Sequence, residues 1–130
     1  MEMTITFEGK AKVIAEYDGM KIETDQPFPS GDGSAPTPFN LFLASLGTCA
    51  GIYVKSFCDQ RNIPTKGIKI TQRMQYNPTA KLISEILIDI QLPADFPEKY
   101  KTAVINASDL CAVKRHLHNP PVIKTIVSTL

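Results

Sequence analysis

Three cysteines, at positions 49, 58 and 111, are the residues of this sequence whose type suits covalent chemistry. Cysteine thiolates are nucleophiles and metal ligands, and two cysteines can exchange electrons by forming a disulfide. Because an odd number of widely spaced cysteines is not typical of a secreted disulfide scaffold, we expect a reducing, cytoplasmic setting. In that setting a cysteine pair is catalytic, redox-sensing or metal-binding, and otherwise cysteines are small core residues.

The spacing of the cysteines limits which of them can pair. Cys49 and Cys58 are nine residues apart, so in one helix they face opposite sides at a separation of about 13.5 Å. A disulfide needs Cα atoms within about 7 Å. Cys111 falls on the apolar stripe of a second predicted helix, which makes it the better partner for either. The residues alone leave open whether a redox pair exists or the thiols simply fill space.

The element that carries Cys49 is a helix predicted from Pro38 to about Asn62, with Thr37 as its cap. Its first four turns are apolar around nearly the whole circumference, and such a helix must be covered on all sides. We therefore expect a second subunit to help bury it. Gly47 and Gly51 flank Cys49, which would allow another backbone or a substrate close to the sulfur. A helix break at Gly47 would place Cys49 at a new N-terminus that favours the thiolate.

The remaining pattern predicts an α+β fold in a single domain spanning residues 1–130. Alternating apolar residues predict strands in the N-terminal third, where Asp18-Gly19 is typical of a hairpin turn. The later elements are a loop at 25–37, strands at 67–76 and 82–92 joined by a turn at 77–79, a helix at 96–117 capped by Asp95 and Glu98, and a closing strand containing Val122, Ile123, Ile126 and Val127.

Charge and hydropathy argue against several classes of function. The net charge is +1 and no block of Lys and Arg occurs, so we expect no nucleic-acid partner. The first residues lack the basic and apolar regions of a signal peptide. Small and polar residues interrupt the apolar stretch 41–54, so no membrane partner is expected.

Two segments resemble the cysteine motifs of the OsmC/Ohr family: PFNLFLASLGTC at 38–49 and DLCAVK at 109–114. The resemblance implies antiparallel sheets around a long buried central helix, an intertwined homodimer, and a thiol peroxidase that needs no cofactor. Cys49 would attack an organic hydroperoxide, Cys111 would close a disulfide with it, and an external dithiol would reduce the bridge. The substrate would be a small apolar hydroperoxide, and the candidate pocket residues are Phe39, Asn40, Phe42 and Tyr53.

The sequence departs from this pattern in the groups that activate the first cysteine. Family peroxidases use an N-terminal arginine and a nearby glutamate, whereas the first arginine here is Arg61 and the expected acidic positions hold Phe39 and Asn40. Substitutes are Lys10, Lys12 or Lys21, or a group from the other subunit. The alternative function is a non-catalytic relative that binds a small apolar ligand or senses oxidants.

Residues after Cys111 are interpreted as ordinary cations of a helix C-terminus. His116 and His118 point about 200° apart on an intact helix, so they do not predict a metal site with Cys111. Lys114 and Arg115 have the same explanation, because cations are favoured in the last turn of a helix.

Overall fold

The computed structural model describes residues 1–130, in two compact units, Met1–Ala44 and Ser45–Leu130. The prediction of a single domain stays a prediction. The elements are β1 (Thr4–Glu8), β2 (Lys12–Tyr17), β3 (Met20–Thr24), α1 (Pro38–Asp59), β4 (Lys69–Asn77), β5 (Leu82–Gln91), a 3-10 turn (Glu98–Tyr100), α2 (Lys101–Asp109) and α3 (Ala112–His118).

The first unit contains an antiparallel sheet in the order β1-β2-β3. Tyr17 pairs with Met20 across the β2–β3 turn. Asp18 and Gly19 fill that turn with φ values of 47° and 75°. Positive φ at both central residues gives the tight hairpin that the Asp-Gly pair favours, and the predicted hairpin is confirmed.

The loop at 25–37 is ordered around one buried carboxylate. Asp25 is 1% exposed and accepts hydrogen bonds from the backbone N–H of Gln26 at 2.7 Å and from the Ser34 hydroxyl at 2.7 Å. Hydrogen bonding from the Ser34 side chain, then from backbone N–H groups, lowers the pKa of Asp25 to about 2. A charged, fully satisfied carboxylate therefore holds a segment that has little helix or strand propensity.

Helix α1 begins as predicted, since Thr37 Oγ1 accepts a hydrogen bond from the Asn40 N–H at 3.2 Å. The helix is continuous through Gly47 and ends at Asp59, so the predicted break is wrong. In the single chain only one face is buried, and Ile52 on the opposite face is 56% exposed. By length and composition α1 could cross a membrane, a property that core helices of soluble proteins share.

The second unit packs α1 against the β4–β5 hairpin and the later helices. The strands are antiparallel, and the Asn77 side chain accepts hydrogen bonds from the N–H groups of Thr79 and Ala80, both at 3.0 Å. This Asx turn confirms the predicted link between the strands. The core of this unit is the buried cluster Val54, Phe57, Cys58, Phe96 and Val104.

The segment predicted as a second helix differs from the expectation at its start and in its continuity. Pro97 precedes the 3-10 turn without a side-chain cap, so the capping box of Asp95 and Glu98 does not form. The helical conformation is interrupted at Leu110 and Cys111. Cys111 has φ −47° and ψ 130°, which are not helical values. The apolar stripe ends with the break, and Leu110 is 59% exposed.

Residues 120–130 form no strand, in contrast to the prediction, because their backbone has no strand partner in the single chain.

Candidate functional site

Cys49 on α1 and Cys111 at the start of α3 lie side by side within the second unit. Both cysteines are free, Cys49 is partly buried, and Cys111 is 0% exposed. The Cys111 thiol hydrogen-bonds to the Cys49 sulfur. The structure thus brings together the two sulfurs that sequence reasoning chose, and it does so at the break that sequence reasoning missed.

The surroundings of Cys49 favour its thiolate. Burial, the largest single influence, raises the pKa of Cys49, but the opposing groups together hold the pKa below its ordinary value. Those groups are the Cys111 thiol, the backbone N–H groups of Val113 and Ala112, and the charge of Arg115. Unpaired N–H groups in the first turn of a helix stabilise a nearby anion. The break predicted in α1 is absent, and the N–H groups near Cys49 come from the first turn of a different helix, α3.

The pKa of Cys111 is shifted in the opposite direction, above its ordinary value. Burial raises the pKa of Cys111, and so do the hydrogen bond to Cys49 and the negative charge on Cys49. When one thiol of a close pair is ionised, the other keeps its proton and donates it to the thiolate. Cys49 is thus the thiol of the pair that ionises more readily, and Cys111 is the one that keeps its proton.

The glycines beside Cys49 allow strand β4 to approach α1 closely. A Cβ atom on Gly47 would lie 2.7 Å from Oε1 of Gln72, and one on Gly51 would lie 3.8 Å from the Ile70 side chain. Only at Gly47 must the side chain be absent, because 3.8 Å at Gly51 is an ordinary contact distance. The approach of another backbone or a substrate to the Cys49 sulfur stays a prediction.

An ion pair spans the helix break on either side of Cys111. Lys114 Nζ lies 2.7 Å from Asp109 Oδ1, and the Lys114 side chain is only 20% exposed. Asp109 ends α2 and Lys114 lies in the first turn of α3. The pair therefore fixes the orientation of α3, whose N–H groups face Cys49.

The other candidate residues differ in position. Cys58 is 0% exposed, and burial raises its pKa, which is typical of a core thiol. Tyr53 is partly buried one turn after Cys49. In the first unit Phe39 is 55% exposed, and its ring stacks on that of Phe42 with the ring centroids 5.8 Å apart. Asn40 is exposed. The assignment of Phe39, Asn40, Phe42 and Tyr53 to a substrate pocket stays a prediction.

Arg115 is the cation that sequence reasoning missed. Two of the lysines considered as activating cations interact with residues of the first unit instead. Lys21 pairs with Glu23 at 3.5 Å, and Lys10 Nζ lies 5.8 Å from the centroid of the Phe28 ring. Arg115 follows Cys111 by four residues, which is one helical turn. If a helix is taken to begin at Cys111, this spacing places Arg115 on the cysteine's side, and that is the signal that would have found it.

Replacing Arg115 with glutamine is expected to raise the pKa of Cys49 and slow its alkylation at neutral pH. Because Arg115 is exposed, solvent screening limits the effect to about two- to fivefold in rate. The measurement is the alkylation rate of Cys49 against pH, in wild type and Arg115→Gln. The midpoint should move to higher pH, and added salt should shrink the difference.

Arg73→Gln is the matched control, since Arg73 pairs with Asp89 at 3.1 Å on the sheet and has no influence on the Cys49 pKa. An identical midpoint in Arg115→Gln and wild type would show that Arg115 does not stabilise the thiolate.

Fold and site together define a small α+β protein with two adjacent cysteine thiols at a helix start. The family model for OsmC-like proteins matches residues 31–126, and this chain belongs to that family. No curated protein matches.

Several solved structures share the fold. One, from Psychrobacter arcticus 273-4, is named for osmotic stress induction and a detoxification response; it is 24% identical, with a TM-score of 0.68 over 87% of this chain and 85% of that one. An OsmC-like protein from Mycoplasma pneumoniae is 18% identical, with a TM-score of 0.63 over 92% and 87%. The organic hydroperoxide resistance protein OhrB of Bacillus subtilis is 15% identical, with a TM-score of 0.53 over 92% and 93%. At these identities the likeness is one of fold.

Proposed function

We propose that this protein is a thiol peroxidase that reduces organic hydroperoxides through Cys49 and Cys111. The observation that carries the proposal is the Cys49 sulfur, which receives hydrogen bonds from the Cys111 thiol and from two backbone N–H groups of α3. A thiolate is the reactive form of cysteine, and a second thiol in hydrogen-bond contact can close a disulfide with it. Membership of a family that includes a hydroperoxide resistance protein supports the same proposal.

The proposed reaction has three steps, which are attack on the peroxide, formation of the disulfide and its reduction. The Cys49 thiolate attacks the terminal peroxide oxygen, the O–O bond breaks, and the alkoxide takes a proton to leave as an alcohol. Cys49 becomes a sulfenic acid. Cys111 then attacks the Cys49 sulfur, and the displaced hydroxide leaves as water. An external dithiol exchanges with the bridge, restores both thiols and is itself oxidised to a disulfide.

We further propose that the working form is a homodimer. Apolar residues of the C-terminal segment are almost fully exposed in the single chain, including Val122 at 83%, Ile123 at 86% and Val127 at 98%. In the first unit Phe7 is 83% exposed as well. Because apolar patches exposed on a single chain mark interaction sites, a second copy is the proposed cover of the C-terminal segment. Sedimentation velocity of the purified protein measures this, and a monomer at micromolar concentration would contradict it.

Treatment with one equivalent of cumene hydroperoxide tests the catalytic proposal. We expect loss of both thiols and a Cys49–Cys111 bridge in the peptide map, while Cys58 stays free because it is 0% exposed. Equimolar cumyl alcohol should appear. A peptide map with both thiols still free after exposure would reject the peroxidase assignment.

A further inference from the structure

A second candidate site lies in the same unit, where the turn after α1 meets the segment before α2. It is a cavity of about 430 Å³, here called the 61–100 cleft, bounded by residues 61–66 and 93–100. This volume lies within the range of small-molecule sites. None of its lining residues belongs to the Cys49–Cys111 pair.

The lining of the cleft combines apolar and cationic side chains. The apolar lining residues are Ile63, Pro64, Pro93, Phe96 and Pro97. The cations are Arg61, Lys66 and Lys99. None of the three forms an ion pair, although Asp95 also lines the cleft. Three cations against one acid leave an excess of positive charge facing the cavity.

Arg61 is held in position without its charge being neutralised. Its guanidinium carbon lies 3.7 Å from the centroid of the Phe57 ring and 5.4 Å from that of Tyr100. Its Nη1 donates to the Phe57 carbonyl at 3.1 Å. A guanidinium has several further N–H donors, so those not used by Phe57 are available to a ligand. A pre-positioned arginine loses less entropy on binding an anion than a free one.

A purely structural role explains Arg61 better than it explains the two lysines. Cations are common at the end of a helix, and Arg61 follows the C-terminus of α1 at Asp59. Lys66 and Lys99 lie outside α1, so the dipole of α1 does not account for their place around the same cavity. Lys99 Nζ lies 5.0 Å from the Tyr100 ring centroid, which places its charge beside the aromatic ring that also contacts Arg61.

We propose that the 61–100 cleft binds a small organic anion with an apolar body, such as a medium-chain carboxylate. The carboxylate contacts Arg61, Lys66 and Lys99, since arginine pairs with carboxylates through parallel hydrogen bonds. The chain packs on the prolines and Phe96. This binding is separate from thiol chemistry and does not depend on the peroxidase proposal.

The test is titration of the whole protein with octanoate, followed by NMR at the backbone amides of Phe96 and Tyr100. Octanol, which has the same chain without charge, and inorganic phosphate, which is an anion without a chain, are titrated alongside at constant ionic strength. We expect saturable shifts with octanoate at both amides and much weaker binding of the other two. In Lys66→Gln/Lys99→Gln the dissociation constant should rise by about tenfold or more.

Lys69→Gln is the matched control, because Lys69 is an exposed lysine of β4 outside the cleft. It should bind octanoate as wild type does. Equal affinity of the double variant and wild type would overturn the proposal, as would the absence of saturable shifts. Octanol binding as tightly as octanoate would show that the cations are not used, and phosphate binding as tightly would show that the apolar lining is not used; either result also overturns it.

Discussion

Cys49→Ser is expected to lose hydroperoxide turnover down to the uncatalysed background, a fall of about three orders of magnitude or more. A serine hydroxyl is not ionised at neutral pH, so the hydrogen bonds from Val113, Ala112 and Cys111 would have no thiolate to stabilise. The measurement is alcohol production from cumene hydroperoxide with a dithiol reductant. Because serine is nearly the same size as cysteine, the fold is retained and the loss reports on the nucleophile.

Cys58→Ala is the control for this prediction. Cys58 is 0% exposed and burial raises its pKa, so its removal should leave turnover within about twofold, apart from a modest stability cost of about 1 kcal/mol. Equal turnover in Cys49→Ser and wild type would show that Cys49 is not the nucleophile. Wild type that is oxidised once but never turns over would favour the alternative of an oxidant sensor.

Local signals in the sequence were sufficient wherever a few neighbouring residues determine the structure. Asp18-Gly19 specifies its hairpin because both residues accept positive φ. Thr37-Pro38 starts α1 because the threonine supplies a cap and the proline suits the first helical position. Helix geometry left Cys111 as the better partner for either of the other cysteines, and the family resemblance selected Cys49, whose thiol lies beside that of Cys111.

The interruption at Cys111 could not be read from the sequence. No glycine or proline lies between Pro97 and Pro120, so the segment carries no stop signal. The structure shows an ion pair across the break, between Asp109 and Lys114 at 2.7 Å, but opposite charges five residues apart do not by themselves predict an interruption. Arg115 was interpreted as a cation of a helix C-terminus, and it does lie in the last turn of α3. Because α3 is short and starts at Ala112, the same residue is also near enough to Cys49 to lower its pKa. Locating the break correctly would have placed both the helix dipole and the cation beside Cys49.

The closing strand was wrong for a different reason. Val122, Ile123, Ile126 and Val127 have the β-branched character of a strand. A strand also needs a backbone partner, and residues 120–130 have none in the single chain. In the single chain Ile52 of α1 is 56% exposed, and the apolar sequence of this helix predicted that a second subunit covers it. Both the C-terminal segment and this face of α1 carry apolar surface that the homodimer proposal would bury.

Replacing Cys111 separates its two roles, as hydrogen-bond donor to Cys49 and as partner in the disulfide. Both Cys111→Ser and Cys111→Ala are expected to accumulate a Cys49 sulfenic acid after one equivalent of hydroperoxide, which a dimedone adduct detects by mass. Excess hydroperoxide should then convert Cys49 to the sulfinic acid, because no second thiol traps the intermediate. Wild type should show the disulfide instead and resist this overoxidation.

The two variants should differ in the first step. Serine retains a hydroxyl that can donate to the Cys49 thiolate, whereas alanine leaves only the N–H groups of Val113 and Ala112 and the charge of Arg115. Loss of one hydrogen bond to a charged acceptor should slow sulfenic acid formation by about tenfold at neutral pH. Stopped-flow mixing with substoichiometric hydroperoxide measures that rate, and Cys111→Ser should stay near wild type. Equal rates in Ser and Ala would show that the Cys111 thiol does not stabilise the Cys49 thiolate. A disulfide that forms in either variant would show that Cys111 is not needed to resolve the sulfenic acid.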